Sequence, residues 1–350
     1  MAINLASKYE SQILSKWTKE SFLAGKVSNK YSFNGVRTIS IYTPVTVALS
    51  DYTRSGTNRF GTPVEMQDTV QELSLTQDKA FAITIDKGNN ADQLNIKGAG
   101  EMMNLQMKEQ MVPHLDKYAL GVWAKHAGKS AVISAPTKST IVGLLADGLT
   151  ELDNQLVPDD MRWIFVGASN FNKIRLADEY MNSDPLSSQI LPKGVVGTFM
   201  NASVVKVPDS YMPTGVQFLI VHRDAVIFPV KLKTLRILTD VAGLDGALLE
   251  GRHYFDAFVL GQKANGIYAG VLTANKVADP VITLTDDEAS VGAVSGVTFH
   301  YTVDGSDPRY SSTAVVYSGA VTLEDGETIK VVGMADGKCD SDIAEKTYSA

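Results

Sequence analysis

The sequence is poor in cysteine: Cys339 is the only one among its 350 residues. A single thiol excludes an internal disulfide bond and any metal site that several cysteines share. Such sparing use of cysteine is typical of a protein that folds in a reducing compartment. Long apolar runs are also missing, since none approaches the roughly 18 residues that a membrane helix needs. We therefore expect no membrane span, and the N-terminal segment, which has no apolar run after its charged residues, predicts no signal peptide.

Basic residues are not in excess either: 32 Lys and Arg stand against 39 Asp and Glu, a net charge of −7. The last part of the chain carries this imbalance. Residues 279–350 hold 13 acidic and 4 basic residues, a balance of −9, which leaves 26 acidic and 28 basic residues, a balance of +2, for residues 1–278. Tight binding of nucleic acid needs a basic surface that neutralises phosphates, so we do not expect it. A protein that only surrounds nucleic acid would not need such a surface.

Motifs for catalysis and for cofactor binding are missing too. Gly98 and Gly100 lack the third glycine of a dinucleotide-binding loop, and the sequence has neither a P-loop nor a GxSxG turn. The five histidines have no metal-ligand spacing, and Asp304-Gly305-Ser306-Asp307 is typical of a turn before it is typical of a calcium site. We expect no catalytic residue, no cofactor and no metal ion. An enzyme built from carboxylates that only the fold brings together is the least favoured alternative.

The longest regular pattern runs from Ala99 to Gly128. Large side chains recur there every three or four residues, at Met103, Met107, Met111, Leu115, Tyr118, Val122 and His126. This spacing places them on one face and predicts a single long amphipathic helix that buries that stripe. Pro113 lies inside the pattern and predicts a kink near residues 108–111, or a division into two shorter helices.

Strand patterns precede this helix. Residues 3–23 have a loose helical spacing and are interpreted as an arm, and Asn34-Gly35 is a strong hairpin signal. Side chains alternate from Ile39 to Leu49, where Pro44 predicts an edge strand.

A polar segment, residues 51–68, contains Arg54 and Arg59 and has no core pattern. Apolar alternation on both sides of residues 76–79 then predicts a two-stranded hairpin. Because this hairpin has little apolar surface, we expect it to lean on another element or another subunit; the alternative is a mobile surface hairpin.

Helices and strands mix after the long helix, which indicates an α+β fold. Residues 139–156 predict a second amphipathic helix, residues 162–166 a buried strand, and residues 171–180 another helix. Short strands are predicted at residues 202–207, 216–221, 225–232, 234–239 and 254–260. Beyond a polar linker at residues 273–279, strands recur about every ten residues between Asp-Gly turns, which is the rhythm of a small β-sandwich.

The order of these parts resembles the major capsid protein of tailed bacteriophages, with the Hong Kong 97-type fold that encapsulins share. The most specific segment is residues 222–270, where DAV, EGR and an apolar strand before NGIY are similar to the closing segment of many phage capsid proteins. The resemblance implies a shell domain at residues 1–278. Its parts are an N-terminal arm and first strand (1–50), an extended loop (51–90), a spine helix (99–128), axial and peripheral segments (139–250) and a closing peripheral strand (251–272).

The C-terminal region has a resemblance of its own. Within residues 299–349, the segments YTVDGSDP, VYSGAVTL and ADGKCDSDIAEKTYS are similar to the immunoglobulin-like C-terminal domain of chitobiases and of many bacterial surface proteins. That domain is not catalytic. The resemblance implies an all-β immunoglobulin-like domain at residues 279–350 that projects outward, and the −9 balance agrees with a solvated location.

Together the resemblances imply a structural protein that assembles with itself into pentamers, hexamers and an icosahedral shell around DNA, without sequence-specific DNA binding. Arg54, Arg59 and Phe60 of the extended loop would contact an adjacent subunit, and residues 183–193 would surround the symmetry axis. The implied location is the virion capsid, assembled in the bacterial cytoplasm. No long, charged scaffolding segment is visible at the N-terminus, which implies a separate scaffolding protein or none; portal and decoration proteins are further expected partners.

Two alternatives to a phage capsid stay open: an encapsulin-like nanocompartment and, less favoured, a carbohydrate-binding surface protein. We also expect a chain without residues 279–350 to assemble.

Overall fold

The computed structural model describes residues 21–31, 33, 37–44, 46, 49–61, 63, 65–66, 68–92, 98–177, 195–239 and 241–349. Most of the predicted arm, the Asn34-Gly35 turn and the loop at residues 183–193 lie outside these ranges. Within them, no helix is long and apolar enough to cross a membrane.

The helices are α1 (Lys87–Asp92), α2 (Ala99–Gln106), α3 (Val112–Lys125), α4 (Ile141–Asn154) and α5 (Ala168–Arg175), with a π-helical turn at Met107–Met111. The strands of the N-terminal part are β1 (Thr38–Pro44), β2 (Asp68–Ser74), β3 (Gln77–Asp86), β4 (Lys129–Ile133), β5 (Arg162–Gly167), β6 (Val195–Phe199), β7 (Ala202–Val207), β8 (Val216–His222), β9 (Val226–Ile227), β10 (Val230–Leu238), β11 (Gly246–Phe255), β12 (Phe258–Val259) and β13 (Ile267–Leu272). Those of the C-terminal part are β14 (Ile282–Thr285), β15 (Glu288–Val291), β16 (Thr298–Thr302), β17 (Val315–Val316), β18 (Val321–Thr322), β19 (Thr328–Met334) and β20 (Ala344–Thr347).

A six-stranded mixed sheet forms the centre, in the order β4-β13-β8-β5-β7-β6. Both of its faces are covered, because apolar side chains of the strands alternate between two cores. On β5, Phe165 joins the core beneath α3, whereas Ile164 and Val166 join the core beneath α4 and α5. The last strand of the closing segment, β13, lies inside this sheet between β4 and β8.

The long helix spans residues 99–125 and is termed the spine helix. Its π-helical turn falls at residues 107–111, where the sequence predicts a kink, and the backbone N–H of Val112 donates to the carbonyl of Met107 five residues earlier. Pro113 follows at once. A wider turn moves away the carbonyl with which the proline ring would clash, so the helix continues beyond the proline.

The wide turn also shifts the buried face of the spine helix. Met103 and Met111 are buried as the 3.6-residue spacing predicts, but Met107, Leu115 and Val122 are only half-buried. After the turn the buried side chains fall one residue later than predicted, at Asp116, Ala119, Leu120, Trp123 and Ala124. A π turn adds one residue to the helical repeat, which accounts for this displacement.

The N-terminal half of the spine helix packs on a second sheet. This sheet has the order β10-β11-β3, and Met103 forms a small core with Ile85 and Leu249. The spine helix therefore connects the three-stranded sheet to the six-stranded sheet.

The predicted pairing of the strands around residues 76–79 is wrong. Strand β2 pairs with β1, from Thr38 opposite Ser74 to Pro44 opposite Asp68, whereas β3 pairs with β11. The chain crosses between two sheets at Thr76 instead of turning back on itself. The two-stranded excursion is therefore β1 and β2 with the described residues between them, and it is termed the extended hairpin. Its tip is residues 49–61, which include the first part of the polar segment.

Two other strand boundaries also differ from the prediction. The strands expected at residues 225–232 and 234–239 are the short β9 and one continuous strand, β10. The strand expected at residues 254–260 is the end of the longer β11 followed by β12. Asp256 separates these two strands because its carboxylate bonds to its neighbour's N–H and to Thr76 instead of leaving a regular ladder.

Strands β14 to β20 form two sheets, β14-β15-β18 and β17-β16-β19-β20. Phe299, Ile329 and Val331 lie in the core between them. This sandwich does not stand apart: Cys339 is buried in the core beneath α3, and burial raises the pKa of its thiol to about 12.

Candidate functional site

The extended hairpin ends in a small lobe that is held by its own hydrogen bonds. The N–H of Thr53 donates to the carbonyl of Arg59 over 3.0 Å, and the hydroxyl of Ser50 donates to the carbonyl of Phe60 over 2.9 Å. Gly61 has a φ of 84°, and a side chain there would meet Ser50 at 2.7 Å. The tip thus has a defined shape although it has no apolar core.

Large apolar side chains are exposed along this hairpin. Phe60 is 85% exposed and meets Tyr52 edge-on with ring centroids 5.0 Å apart. Tyr42, Leu49 and Met66 are more than half exposed as well. Arg54 and Arg59 are also exposed. A cluster of exposed apolar and aromatic groups on one projecting element is typical of a protein interaction surface.

The base of the hairpin is buried, in contrast to its tip. Leu73 and Leu75 lie in a core with Phe33, Ile227 and Leu260. Each such side chain contributes roughly 1.5–3 kcal/mol through burial, enough to hold a short two-stranded element against the body.

Asp256 fixes the point where the chain leaves the hairpin. Its buried carboxylate accepts hydrogen bonds from the N–H and the hydroxyl of Thr76, over 2.7 and 2.8 Å, and from the hydroxyl of Tyr118 over 2.6 Å. Burial and the bond to Asp256 raise the pKa of Tyr118. One carboxylate thus joins the hairpin, the spine helix and the end of β11.

A second side chain ties the hairpin to the body. The amide of Gln71 donates to the carbonyl of Val259 over 2.9 Å, and its oxygen accepts from the N–H of Gly261 over 2.9 Å. Sequence reasoning missed both Gln71 and Asp256. The available signal was an acidic residue, Asp256, inside the apolar strand predicted at residues 254–260.

The described end of the N-terminal segment is bound to the spine helix by another buried carboxylate. Asp116 accepts hydrogen bonds from the hydroxyl of Ser21 over 2.7 Å and from the N–H of Phe22 over 3.0 Å. Burial raises the pKa of Asp116, whereas these bonds and the nearby Lys26 oppose that shift. The spine helix is therefore the element on which the N-terminal segment, the hairpin and the central sheet converge.

The predicted contact residues are thus placed as follows. Arg54, Arg59 and Phe60 lie together at the tip of the hairpin. The predicted residues of the spine helix lie away from the tip: Met103 and Met111 are buried, and Met107, Leu115 and Val122 are half-buried. Within the described ranges, no group of three or more His, Cys, Asp or Glu side chains is arranged to hold a metal ion.

This architecture defines a class: it is the fold of phage capsid chains. The chain is similar to a chain of the structure described as "Capsid structure of the Cyanophage P-SCSP1u", with a TM-score of 0.62 and 13% identity over 77% of this chain and 93% of that one. For "Asymmetric unit of bacteriophage PhiM1 mature capsid" the TM-score is 0.57 and the identity 11%, over 77% and 92%. A chain from Mycobacterium phage Che8 gives a TM-score of 0.62 and 19% identity over 76% and 96%.

At these identities the likeness establishes the fold. It confirms the predicted α+β capsid fold, and the Hong Kong 97-type form is compatible with it. The family model described as "Fn3 associated" matches residues 282–348, which agrees with the predicted all-β C-terminal domain. No curated protein matches the sequence of the chain.

Proposed function

We propose that the chain is the major capsid protein of a tailed bacteriophage and that its copies assemble through pentamers and hexamers into an icosahedral shell around the DNA genome. The observation that carries this proposal is a hairpin tip that keeps the aromatic side chains of Tyr52 and Phe60 exposed, in a chain with a capsid fold. Two phage capsid structures share that fold. A projecting element whose aromatic side chains the described part of the chain leaves uncovered fits a protein that functions as an array of identical copies.

In the proposed shell the tip of each hairpin lies on a neighbouring copy. Covering Phe60 and Tyr52 there removes apolar surface from water, a gain of roughly 1.5–3 kcal/mol for each side chain. Arg54 and Arg59 would pair with carboxylates of the neighbour and fix the register. Because each copy gives one tip and receives another, the contact is head-to-tail, and in the proposed pentamers and hexamers its rotation closes the ring.

The role proposed is structural and assigns no catalysis to the chain. The near-neutral balance of residues 1–278 suits an inner surface that encloses DNA without reading its sequence. A virion location and assembly in the bacterial cytoplasm belong to the same proposal. So do a separate scaffolding protein, a portal and decoration proteins as partners.

The test is assembly of the purified chain, followed by light scattering and electron microscopy. We expect closed particles of uniform size. Phe60→Asp places a charge where the contact must be dry, so this variant should remain as monomers or small rings.

Val281→Asp is the matched control. Val281 is 74% exposed on the C-terminal domain, and the same substitution there should leave assembly intact. A wild-type chain that stays monomeric under every assembly condition contradicts the proposed function. Normal particles from Phe60→Asp contradict the assigned contact.

A further inference from the structure

The C-terminal domain is docked on the end of the spine helix. Asp340 receives a hydrogen bond from His126 over 2.7 Å, and its own N–H donates to the carbonyl of Lys125 over 3.0 Å. Asp342 pairs with Lys129 at 2.6 Å. Three residues at the end of the spine helix and just beyond it, Lys125, His126 and Lys129, are therefore held by two acidic residues of the C-terminal domain.

Arg309 provides a further docking contact, and this one is buried. Its side chain is only 2% exposed, and it donates to the carbonyls of Ala127 and Gly128 over 2.6 and 3.4 Å. Asp307 holds the other edge of the guanidinium at 2.7 Å. A guanidinium at these carbonyls also complements the negative end of the helix dipole, so charge and geometry act together.

Tyr310, the next residue, continues the contact. Its hydroxyl donates to the carbonyl of His126, and its ring lies against the core beneath α3. A Cβ atom on Gly261 would come within 3.0 Å of Tyr310, so the ring sits directly on the backbone there. Gly261 is also the residue whose N–H donates to the side-chain oxygen of Gln71 in the hairpin.

The same loop of the C-terminal domain then reaches the hairpin itself. The N–H of Ser312 donates to the carbonyl of Val70 over 3.3 Å, and Ser311 forms an isolated antiparallel bridge with Gln71. Both Val70 and Gln71 belong to β2, the returning strand of the hairpin. Residues 307–312 thus run from the end of the spine helix to the strand that carries the tip.

From this geometry we propose that the C-terminal domain is a strut: it braces the extended hairpin against the spine helix and so sets the direction in which the tip projects. The consequence for shell assembly rests on the proposed function, whereas the brace is a property of the single chain. This assigns the domain a function inside its own subunit, in addition to any role on the outer surface. The strut predicts that residues 279–350 contribute to assembly, whereas the sequence analysis expects a chain without them to assemble.

The test compares unassembled full-length chains. Arg309→Lys keeps the charge but loses the planar fork, and Tyr310→Phe removes one hydroxyl and keeps the ring. We expect the amides of β2 to exchange hydrogen about ten to a hundred times faster in Arg309→Lys, the change that follows from losing a buried charge-assisted hydrogen bond. The effect of Tyr310→Phe should be smaller and in the same direction.

A distance measurement checks the direction of the tip. Nitroxide labels at Thr57→Cys and Asp287→Cys, two exposed positions, report the separation of tip and domain, and Cys339 is buried and escapes labelling. The wild-type chain should give one narrow distance distribution, and Arg309→Lys a broader one.

Thr347→Val is the matched control, since Thr347 loses a hydroxyl that bonds only within the domain, to Thr328 at 2.7 Å. It should change neither readout. Unchanged exchange and an unchanged distribution in Arg309→Lys overturn the strut. If Arg309→Lys does not fold, Tyr310→Phe decides by the same two readouts. Failure of the wild-type chain to form particles contradicts the proposed function alone, because both readouts use unassembled protein.

Discussion

Tyr118 of the spine helix and Asp256 at the end of β11 are joined by a hydrogen bond of 2.6 Å across 138 residues of sequence. Asp256 also holds Thr76, where the chain leaves the extended hairpin. The orientation of the hairpin is therefore tied to the helix that packs on the central sheet. A disturbance on either side of this bond should be felt on the other.

Replacing Tyr118 by Phe should destabilise the chain by about 1–3 kcal/mol, because Asp256 then loses a donor while it stays buried. Urea unfolding measures this loss. Tyr42→Phe is the control: Tyr42 is 67% exposed, and its substitution should change the free energy of unfolding by less than about 0.5 kcal/mol. Equal effects of the two substitutions would contradict the assigned role of the bond.

The shift of the buried face predicts unequal costs for two leucines of the spine helix. Leu120 is fully buried, so Leu120→Ala should cost about 2–5 kcal/mol. Leu115 is half-buried, so Leu115→Ala should cost about 1 kcal/mol or less. Thermal or urea unfolding distinguishes them. A larger cost at Leu115 would indicate a regular helix without the π turn.

Acid should destabilise the fold through His253. Its ring is buried, neither ring nitrogen has a hydrogen-bond partner among the described residues, and Lys79 and Lys233 lie opposite it on the neighbouring strands. Burial, and after it Lys233, lower the pKa of His253. In the unfolded chain the pKa of His253 is about 6.5, so the unfolded chain takes up the proton first as the pH falls. The contribution of His253 to the free energy of unfolding should be constant above about pH 6.5 and be lost as the pH drops through the folded pKa.

The substitution His253→Leu should reduce this acid loss by up to about 1.4 kcal/mol per pH unit, the value for one proton. Lys233→Gln removes the second cause of the shift and should act in the same direction, less strongly. Unfolding titrations between pH 7 and pH 4 give the slopes. An unchanged slope in His253→Leu would show that other groups control acid unfolding.

Asp342 should stabilise the junction between the two domains. It faces Lys129 at 2.6 Å and Lys276 at 3.3 Å, and the side chain of Lys276 is only 5% exposed. Burial opposes ionisation, but the bonds from Lys129 and Lys276 prevail and lower the pKa of Asp342. Its contribution is therefore present at neutral pH and is lost as the pH falls below about 4 through the folded pKa.

Asp342→Asn should lower the free energy of unfolding by about 1–3 kcal/mol at pH 7, because the buried Lys276 loses a charged partner. Glu345→Gln is the matched control. Glu345 is an exposed side chain 3.8 Å from Lys330, and such pairs contribute little. Urea unfolding at pH 7 should give a larger loss of free energy of unfolding for Asp342→Asn than for Glu345→Gln. Equal losses would contradict the stabilising role of Asp342 at the junction.

The sequence was most informative where one local pattern decides the structure. The predicted strand at residues 202–207 is confirmed as β7, and that at residues 162–166 as β5 with one further residue. Both strands are largely buried, and the apolar residues 163–166 of β5 and 204–205 of β7 are visible without any knowledge of their partners.

Strand pairing was not predictable in the same way. The alternation around Thr76 correctly indicates β2 and β3, but nothing in it shows that each pairs with a strand elsewhere. The partner of β3 is β11, which has Gly251 and Arg252 in its middle and so lacks a clear strand pattern. Phe81 lies where a side chain of Gly251 would be, a compensation visible only in three dimensions.

The sequence indicates where Arg54, Arg59 and Phe60 lie but not which residues support the hairpin; that these three contact another subunit stays a prediction. Arg54, Arg59 and Phe60 lie in a polar segment without any core pattern, which indicates an exposed loop. Arg309, Asp340 and Asp342 do not stand out, because acidic and basic residues in a β-sandwich are usually solvated. Their burial depends on the docking of two domains, which is a property of the whole chain.

The segment that joins the two domains is itself integrated into both. The N–H of Cys339 donates to the carbonyl of Asn275 over 2.8 Å, and the N–H of Val277 donates to the carbonyl of Cys339 over 3.0 Å. Unfolding either domain exposes Lys276 and breaks these bonds, so neither domain gains the freedom that a flexible linker would allow. The chain should therefore melt in a single calorimetric transition, as one cooperative unit, although its sequence reads as two domains.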